Sequence, residues 1–270
     1  MSLEPVRSLW IGPSLPPAHA ACIASFLRVG HPFELFTYDT VGGVPQGTRI
    51  RSAQEIVPSS RIFTYGAAAG PSAGGLSGFS NLFRFALLAR EGGWWVDCDI
   101  FCLRPLPNDP IVIGSERRRE GLPIPCSAVL RCPAGHQFAN YCLARADAHD
   151  PATMVHGATG PALVAQAVED LRLHDAIVPP EAFCCIDWFD HEALLHPGTP
   201  PRGAYGVHLW GELWRRSPGT IPWPGPAGSL LHSLARRGRA RVPGRGWWRM
   251  LGRRDDGERR GSVLDHKQSL

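Results

Sequence analysis

The sequence predicts an α/β fold in which parallel strands are joined by crossover helices, and two stretches carry that expectation. The first is the opening: residues 6–11, VRSLWI, are a short strand closed by Gly12-Pro13, residues 17–29 repeat apolar positions at helical spacing through Ala21, Ile23, Phe26 and Leu27, and residues 33–38, FELFTY, form a second strand. The second is residues 80–106, SNLFRFALLAREGGWWVDCDIFCLRPL, where Leu82, Phe83, Phe85, Ala86, Leu87 and Leu88 make a helix apolar nearly all round. A helix of that kind is buried between layers. It stops at Gly92-Gly93 and hands over to a short apolar strand, Trp94-Trp95-Val96. Parallel strands with crossover helices place ligands at their carboxyl ends. Trp10, Ile11 and Gly12 should therefore share a rim with Asp97, Cys98 and Asp99.

The remaining elements follow in order. Residues 39–60 read as loop with a helical piece near 53–57, and residues 65–80, rich in Gly, Ala and Ser, read as a weakly structured connector or a lid. Residues 110–114 and 125–131 are buried strands separated by a polar turn, 115–121, in which Glu116 either lines a site or is solvated. Helices are expected at 136–148 and at 159–171, the second with Thr159 as N-cap and Pro161 in its first turn, so that Gly160 opens a helix end suited to phosphate or sugar hydroxyls. Residues 175–200 read as short strands and turns, including 176–178 and 182–184, and residues 204–210 as a late strand carrying His208 and Trp210 on one face. From Ile221 periodicity is lost in a Pro-, Gly- and Arg-rich stretch, so the expected division is a body, 1–220, and a disordered or loosely packed basic tail, 221–270.

With 270 residues, 44% hydrophobic and 19% charged, the chain has the composition of an ordinary globular protein. No apolar run approaches the roughly 20 residues that cross a bilayer. The amino terminus has neither the basic nor the long apolar region of a secretory signal, which points to the cytoplasm. Eight cysteines without paired CxxC spacing give no zinc or disulfide framework. The net charge of +4 is unevenly spread, since from Arg236 onward ten Arg and one Lys face four acids. Trp247, Trp248, Met250 and Leu251 lie among those arginines, a composition suited to peripheral contact with an anionic membrane surface at the inner face. No nucleic-acid-binding fold accompanies the charge, and no nucleic acid is expected.

The chemistry is concentrated at Asp97 and Asp99. In extended backbone they point to one face with stems about 6 to 7 Å apart, and Cys98 turns to the other face as a small buried hydrophobe. Two carboxylates that close share a proton, pair with cations or hold a metal. A solvated turn is the plain alternative, but apolar residues flank the pair on both sides. Hard oxygen ligands of this kind suit Mn²⁺ or Mg²⁺ bridging to phosphate. Arg84 is the one charge within the apolar run 82–88 of that helix, and it needs an anionic partner, either an internal ion pair or a ligand. Trp10 at the rim is either a stacking surface for a base or a core-edge aromatic.

These residues resemble a known family. FSNLFRFALLAREGGWWVDCDIFCLRPL is similar to the signature segment of glycosyltransferases that carry the DXD sugar-binding motif, a group with bacterial polysaccharide enzymes, yeast initiating mannosyltransferases, α1,4-galactosyltransferases and glucosylating clostridial toxins. LWIG at 9–12, TGP at 159–161 and VHLW at 207–210 recur in the same order, so the resemblance spans roughly residues 5–215. It implies a GT-A fold, a Rossmann-like mixed central sheet flanked by helices, and a metal-dependent retaining transfer of a hexose from a nucleotide sugar, a UDP-sugar for preference. The acceptor implied is a glycan or lipid-linked sugar in bacterial surface polysaccharide synthesis. By motif position, Asp99 ligates the metal, Asp97 reaches the ribose or donor sugar, often through the metal, and His208 approaches the metal and diphosphate. Arg84 binds donor-sugar hydroxyls or the diphosphate, Trp10 the base, and Trp95, where relatives often carry Tyr, the nucleotide. Asn81 stands where many members have Asp, which removes a charge from the donor site.

Two other readings stay open at this stage. Aspartyl-nucleophile phosphohydrolases also use Asp-x-Asp, but after the first strand and with a small residue followed by Thr or Val, whereas Ile100 and Phe101 follow here. A non-catalytic nucleotide-sugar-binding protein would hold the donor without turning it over. A glycoside hydrolase needs two carboxylates at about 5 to 9 Å, yet leaves Arg84 unexplained.

Overall fold

In the computed structural model, which describes residues 3–216 and 219–239, β1 (Val6–Trp10), α1 (Pro17–Val29) and β2 (Phe33–Thr37) form the expected β-α-β opening. After β3 (Arg49–Ser52) come α2 (Ser77–Glu91), β4 (Gly93–Val96), β5 (Ile100–Cys102), β6 (Val112–Arg117) and β7 (Pro123–Cys132). The chain continues through α3 (Gln137–Asp147), α4 (Pro161–Leu171), β8 (Gly206–His208), α5 (Gly211–Arg216) and α6 (Leu230–Arg239). Six strands make a mixed sheet in the order β3-β2-β1-β4-β7-β6, and β5 pairs with β8 in a second, two-stranded sheet. The contacts β3-β2, β2-β1 and β1-β4 are parallel, while β4-β7 and β7-β6 are antiparallel. The α/β architecture expected from the sequence is thus present, with helices on both faces.

Alternation along β4 divides the core. Trp94 and Val96 enter the cluster that α1, β5, β8 and α6 build on one face, and Trp95 enters the cluster of α2, α3 and α4 on the other. Both indoles are 1% exposed, so this strand is central to both layers. The turn from α2 into β4 must be glycine, because a Cβ on Gly92 would lie 2.2 Å from the backbone nitrogen of Ala134, at a φ of 63°.

Several expectations are corrected. Strand β3 was read as loop: it is an exposed, polar edge strand, RIRS, with no apolar alternation to betray it. Helix α2 starts at Ser77, and the Gly-rich stretch before it is anchored by Tyr65, 3% exposed, whose ring lies against Gly78. Residues 176–178 and 182–184 are not strands; they lie among short 3₁₀ turns, and Ile177 alone makes one parallel bridge to Ile113. Thr159 does not cap α4, whose N-cap is Gly160 with no side-chain bond; Thr159 is wholly buried and faces Asn81.

The stretch from Ile221 to Arg239 belongs to the body. Leu230, Leu231, Leu234 and Ala235 are at most 2% exposed in α6, which packs on α1 and on the turn at 188–195. Their i, i+1, i+4, i+5 spacing is an amphipathic stripe that the surrounding Pro, Gly and Arg obscured. Trp247, Trp248, Met250 and Leu251 lie outside the described residues. A chain ending at Arg239 is expected to express solubly with an unchanged Tm. One ending at Ile221 strips three buried leucines from the core, a loss of about 5 kcal/mol that rivals total stability, and should aggregate. Equal solubility of the two would show that α6 contributes nothing to the core.

Candidate active site

The site forms where the chain changes sheets. Strand β4 ends at Val96, and residues 97–99 turn so that the Ile100 N–H donates to the Asp97 carbonyl at 3.1 Å, after which β5 enters the second sheet. The two acids therefore converge through a turn and not, as extended backbone predicted, by alternation along a strand. Antiparallel pairing sets Ile100 opposite His208, which brings the imidazole alongside Asp99. One carboxylate oxygen from each acid and one ring nitrogen of His208 lie within 4.8 Å of one another. Cys98 is buried as expected, its thiol 3.0 Å from the Ser8 hydroxyl.

Each member is held from behind. Asp97 Oδ1 accepts from Arg84 Nη2 at 2.7 Å and from the Trp95 indole N–H at 2.9 Å. Asp99 Oδ2 accepts from the Gly211 N–H at 2.7 Å and lies 3.3 Å from His208 Nε2. A Cβ on Gly211 would come within 3.1 Å of Asp99 Oδ2 and 3.0 Å of His19 Nε2, so any side chain there would crowd both groups. Trp210 stacks on His208 with ring centroids 3.8 Å apart, although its φ of 56° takes it out of the predicted strand. Burial lowers the His208 imidazole, but Asp99 beside it and Asp97 beyond raise it to about 9. Burial pushes the Asp99 carboxyl up, and the opposing pull of His208, His19 and the Gly211 N–H holds it well below the usual carboxylate range. For Asp97 burial wins over the attraction of Arg84, and its carboxyl is raised.

The donor set fits a hard divalent cation. Two carboxylates and an imidazole nitrogen converge, and neither Asp97 Oδ2 nor Asp99 Oδ1 has a hydrogen bond among the described residues, leaving one oxygen on each acid for a metal.

This cluster lies in the wall of a cavity of about 590 Å³, shared with Tyr65, Asn81, Arg84, Glu116, Ser127 and Trp188 among others. A second cavity of about 370 Å³, at the end of β1, is lined by Trp10, Ile11 and His19, and the two have Ser77 and Glu212 in common. The ends of β1 and β4 thus open on adjoining cavities, Trp10 and Ile11 lining one and Asp97 and Asp99 the other, while Gly12 and Cys98 line neither. Trp10 sits half-buried against His19, ring centroids 5.0 Å apart, with its indole N–H buried and unpartnered among the described residues. Gly12 lies just beside it, outside the cavity walls.

Arg84, 3% exposed, donates to Asn81 Oδ1 and Asp97 Oδ1, both at 2.7 Å, so its first partner is an internal one. Asn81 also takes the Ser127 hydroxyl at 3.4 Å and donates to Thr159 Oγ1 at 3.3 Å, which occupies both ends of the amide with protein contacts. Gly160 adjoins this group, its Cα facing Asn81 and Ser127. Trp95, expected against the nucleotide, is 1% exposed and lines neither cavity; it holds Asp97 instead. Sequence reading missed Tyr65, Ser77, Ser127, His19 and Trp188. Nothing in their local pattern separates them from connector or core residues, although the hydroxyls of Tyr65 and Ser77 are buried without partners at the cavity walls.

No family model matches the chain, and no curated protein matches its sequence. Among solved structures it is similar to one titled "PaToxG Glycosyltransferase", at 12% identity and a TM-score of 0.41, over 62% of this chain and 68% of that one. The functional reading accordingly rests on this chain's own residues.

Proposed function

We propose that this chain is a metal-dependent retaining glycosyltransferase that moves a hexose from a nucleotide sugar, a UDP-sugar for preference, to a glycan or lipid-linked acceptor in bacterial surface polysaccharide synthesis. The observation that carries the reading is the Asp97, Asp99 and His208 cluster in the wall of the larger cavity, adjoining a second cavity lined by Trp10. Asp97, Asp99 and His208 would hold Mn²⁺ or Mg²⁺. Such a cation would supply charge stabilisation to the diphosphate as it leaves.

The protein's own groups account for the remaining work. Trp10 offers an aromatic face to the base, and Arg84, fixed by Asn81 and Asp97, adds a fixed positive charge beside the place where negative charge develops. Walls of low dielectric around the cluster strengthen both effects. The acceptor hydroxyl attacks the face from which the diphosphate departs; its oxygen bonds to the anomeric carbon as the carbon–phosphate-oxygen bond breaks, and its proton leaves on the departing phosphate.

A panel of UDP- and GDP-sugars with Mn²⁺ tests this. Release of nucleoside diphosphate from at least one donor, abolished by EDTA and restored by excess Mn²⁺, is the expected result. A donor that binds but is never turned over would assign a binding module, and release of inorganic phosphate from simple phosphomonoesters would assign the phosphohydrolase chemistry. Among the described residues no helix is long and apolar enough to cross a membrane. We place the protein in the cytoplasm, with the basic segment after Arg239 meeting the anionic inner face of the membrane. Sedimentation with phosphatidylserine vesicles should then be lost in the chain that ends at Arg239.

A further inference from the structure

The β6–β7 hairpin forms one wall of the larger cavity, and one acid there has no role in holding the metal or the donor proposed above. Glu116 lies on β6 opposite Ile124 of β7, and both line the cavity. Three arginines follow it directly, yet Glu116 makes no hydrogen bond or ion pair among the described residues. Alternation explains why its neighbour does not pair with it: Arg117 points to the opposite side, where it meets Glu181 and Asp187. Arg119 is drawn away differently, its guanidinium lying over the rings of Trp188 and Phe189 at 5.2 and 5.4 Å. Trp188 is itself fixed by an indole N–H bond of 3.0 Å to the Arg117 carbonyl. Burial raises the Glu116 carboxyl above its ordinary range.

A half-buried carboxyl that lines a cavity without a partner among the described residues is free to take hydrogen bonds from a ligand there. That wall therefore offers a hydrogen-bond acceptor, Glu116, and a planar donor, Arg119, set beside the Trp188 indole. Small polyhydroxylated ligands are recognised by a few convergent polar groups set against an aromatic surface.

Resting on the transferase reading above, we propose that Glu116 is an acceptor-positioning residue, and that Glu116, Arg119 and Trp188 form the subsite of a carbohydrate acceptor. Glu116 takes a hydrogen bond from an acceptor hydroxyl next to the one that reacts, and Arg119 donates to a ring or hydroxyl oxygen. Glu116 gains no proton, since the reacting hydroxyl's proton leaves with the phosphate.

The test uses the full chain with Mn²⁺ and the best UDP-sugar, reading UDP release with and without glucose, galactose, mannose or N-acetylglucosamine at about 50 mM, above common KM values. At least one sugar should raise release by the wild type about tenfold, and Glu116→Gln, whose amide oxygen accepts more weakly than a carboxylate, should lower the ratio of stimulated to sugar-free release several-fold. Arg119→Ala should shift half-maximal stimulation to higher sugar concentration. Gln matches Glu in shape and removes a buried charge, so the variant should melt no lower than the wild type. A ratio in Glu116→Gln equal to that of the wild type, including an equal fall in both rates, overturns the assignment. So does a wild type that no sugar stimulates. Absence of UDP release from every donor by the wild type is a separate failure, that of the transferase reading itself.

Discussion

Asp99→Asn is expected to lower metal-dependent release of nucleoside diphosphate by at least about 100-fold while leaving the fold intact. The amide keeps the size of the carboxylate, and its oxygen can still accept the Gly211 N–H that Asp99 Oδ2 accepts at 2.7 Å. What it loses is the charge beside His208 and an anionic oxygen for the cation. The loss should therefore appear as a weakened Mn²⁺ requirement curve, with metal affinity reduced about 10–100-fold, accompanied by a lower Tm from the broken Asp99–His208 pairing. Two measurements decide it: titration of Mn²⁺ into the variant, and donor turnover at saturating Mn²⁺. Normal turnover at ordinary Mn²⁺ would remove the metal cluster from the proposed function altogether.

Arg84→Met should be the most destabilising single change in the site. Arg84 is 3% exposed and bridges Asn81 and Asp97, so its loss leaves the Asp97 carboxylate without its cation. Breaking a buried pair by removing one partner costs about 3–5 kcal/mol. The lower end applies here because the Asp97 side chain keeps 29% of its exposure and water can reach it. A loss of about 3 kcal/mol corresponds to a Tm lower by roughly 6–12 °C for a chain of this size. The double variant Arg84→Met with Asp97→Asn should recover a good part of that loss, since no unpaired charge remains. Arg84→Lys should recover less, because an ammonium cannot reach Asn81 and Asp97 together in the planar geometry of a guanidinium. If the single and double variants melt together, the stability of the site does not depend on this pair.

Much of this site was legible in the sequence because it is local. Gly92-Gly93 ends one element and begins the next, Trp94-Trp95-Val96 can only be a buried strand, and Asp97 and Asp99 are two residues apart. Whatever the chain does elsewhere, those two carboxylates stay close. Arg84 was legible for a related reason: a lone cation in an apolar helix requires a partner, and thirteen residues along the chain Asp97 supplies it. The rim formed by β1 and β4 followed from the β-α-β opening, since parallel strands place their carboxyl ends together.

What escaped the sequence is non-local. Local pattern leaves His208 a lone histidine on a late strand, and only the resemblance assigns it to the metal; the β5–β8 pairing sets it against Asp99, 109 residues away in the chain, at 3.3 Å. Trp95 carried the same apolar signal as Trp94, and only the alternation of a strand buried on both faces sent it into the α2 layer to hold Asp97. Helix α6 shows the reverse case, a periodic stripe present in the letters but masked by the Pro-, Gly- and Arg-rich composition around it. Sequence alone determined the identity and spacing of the acids, the class of fold and the hard-cation character of the donor set, because these depend on chemistry carried by neighbouring residues. Tertiary structure decided how His208 meets the acids, which tryptophan touches a cavity and that Glu116 has no partner among the described residues, because each depends on strand pairing between segments whose separation no local pattern records.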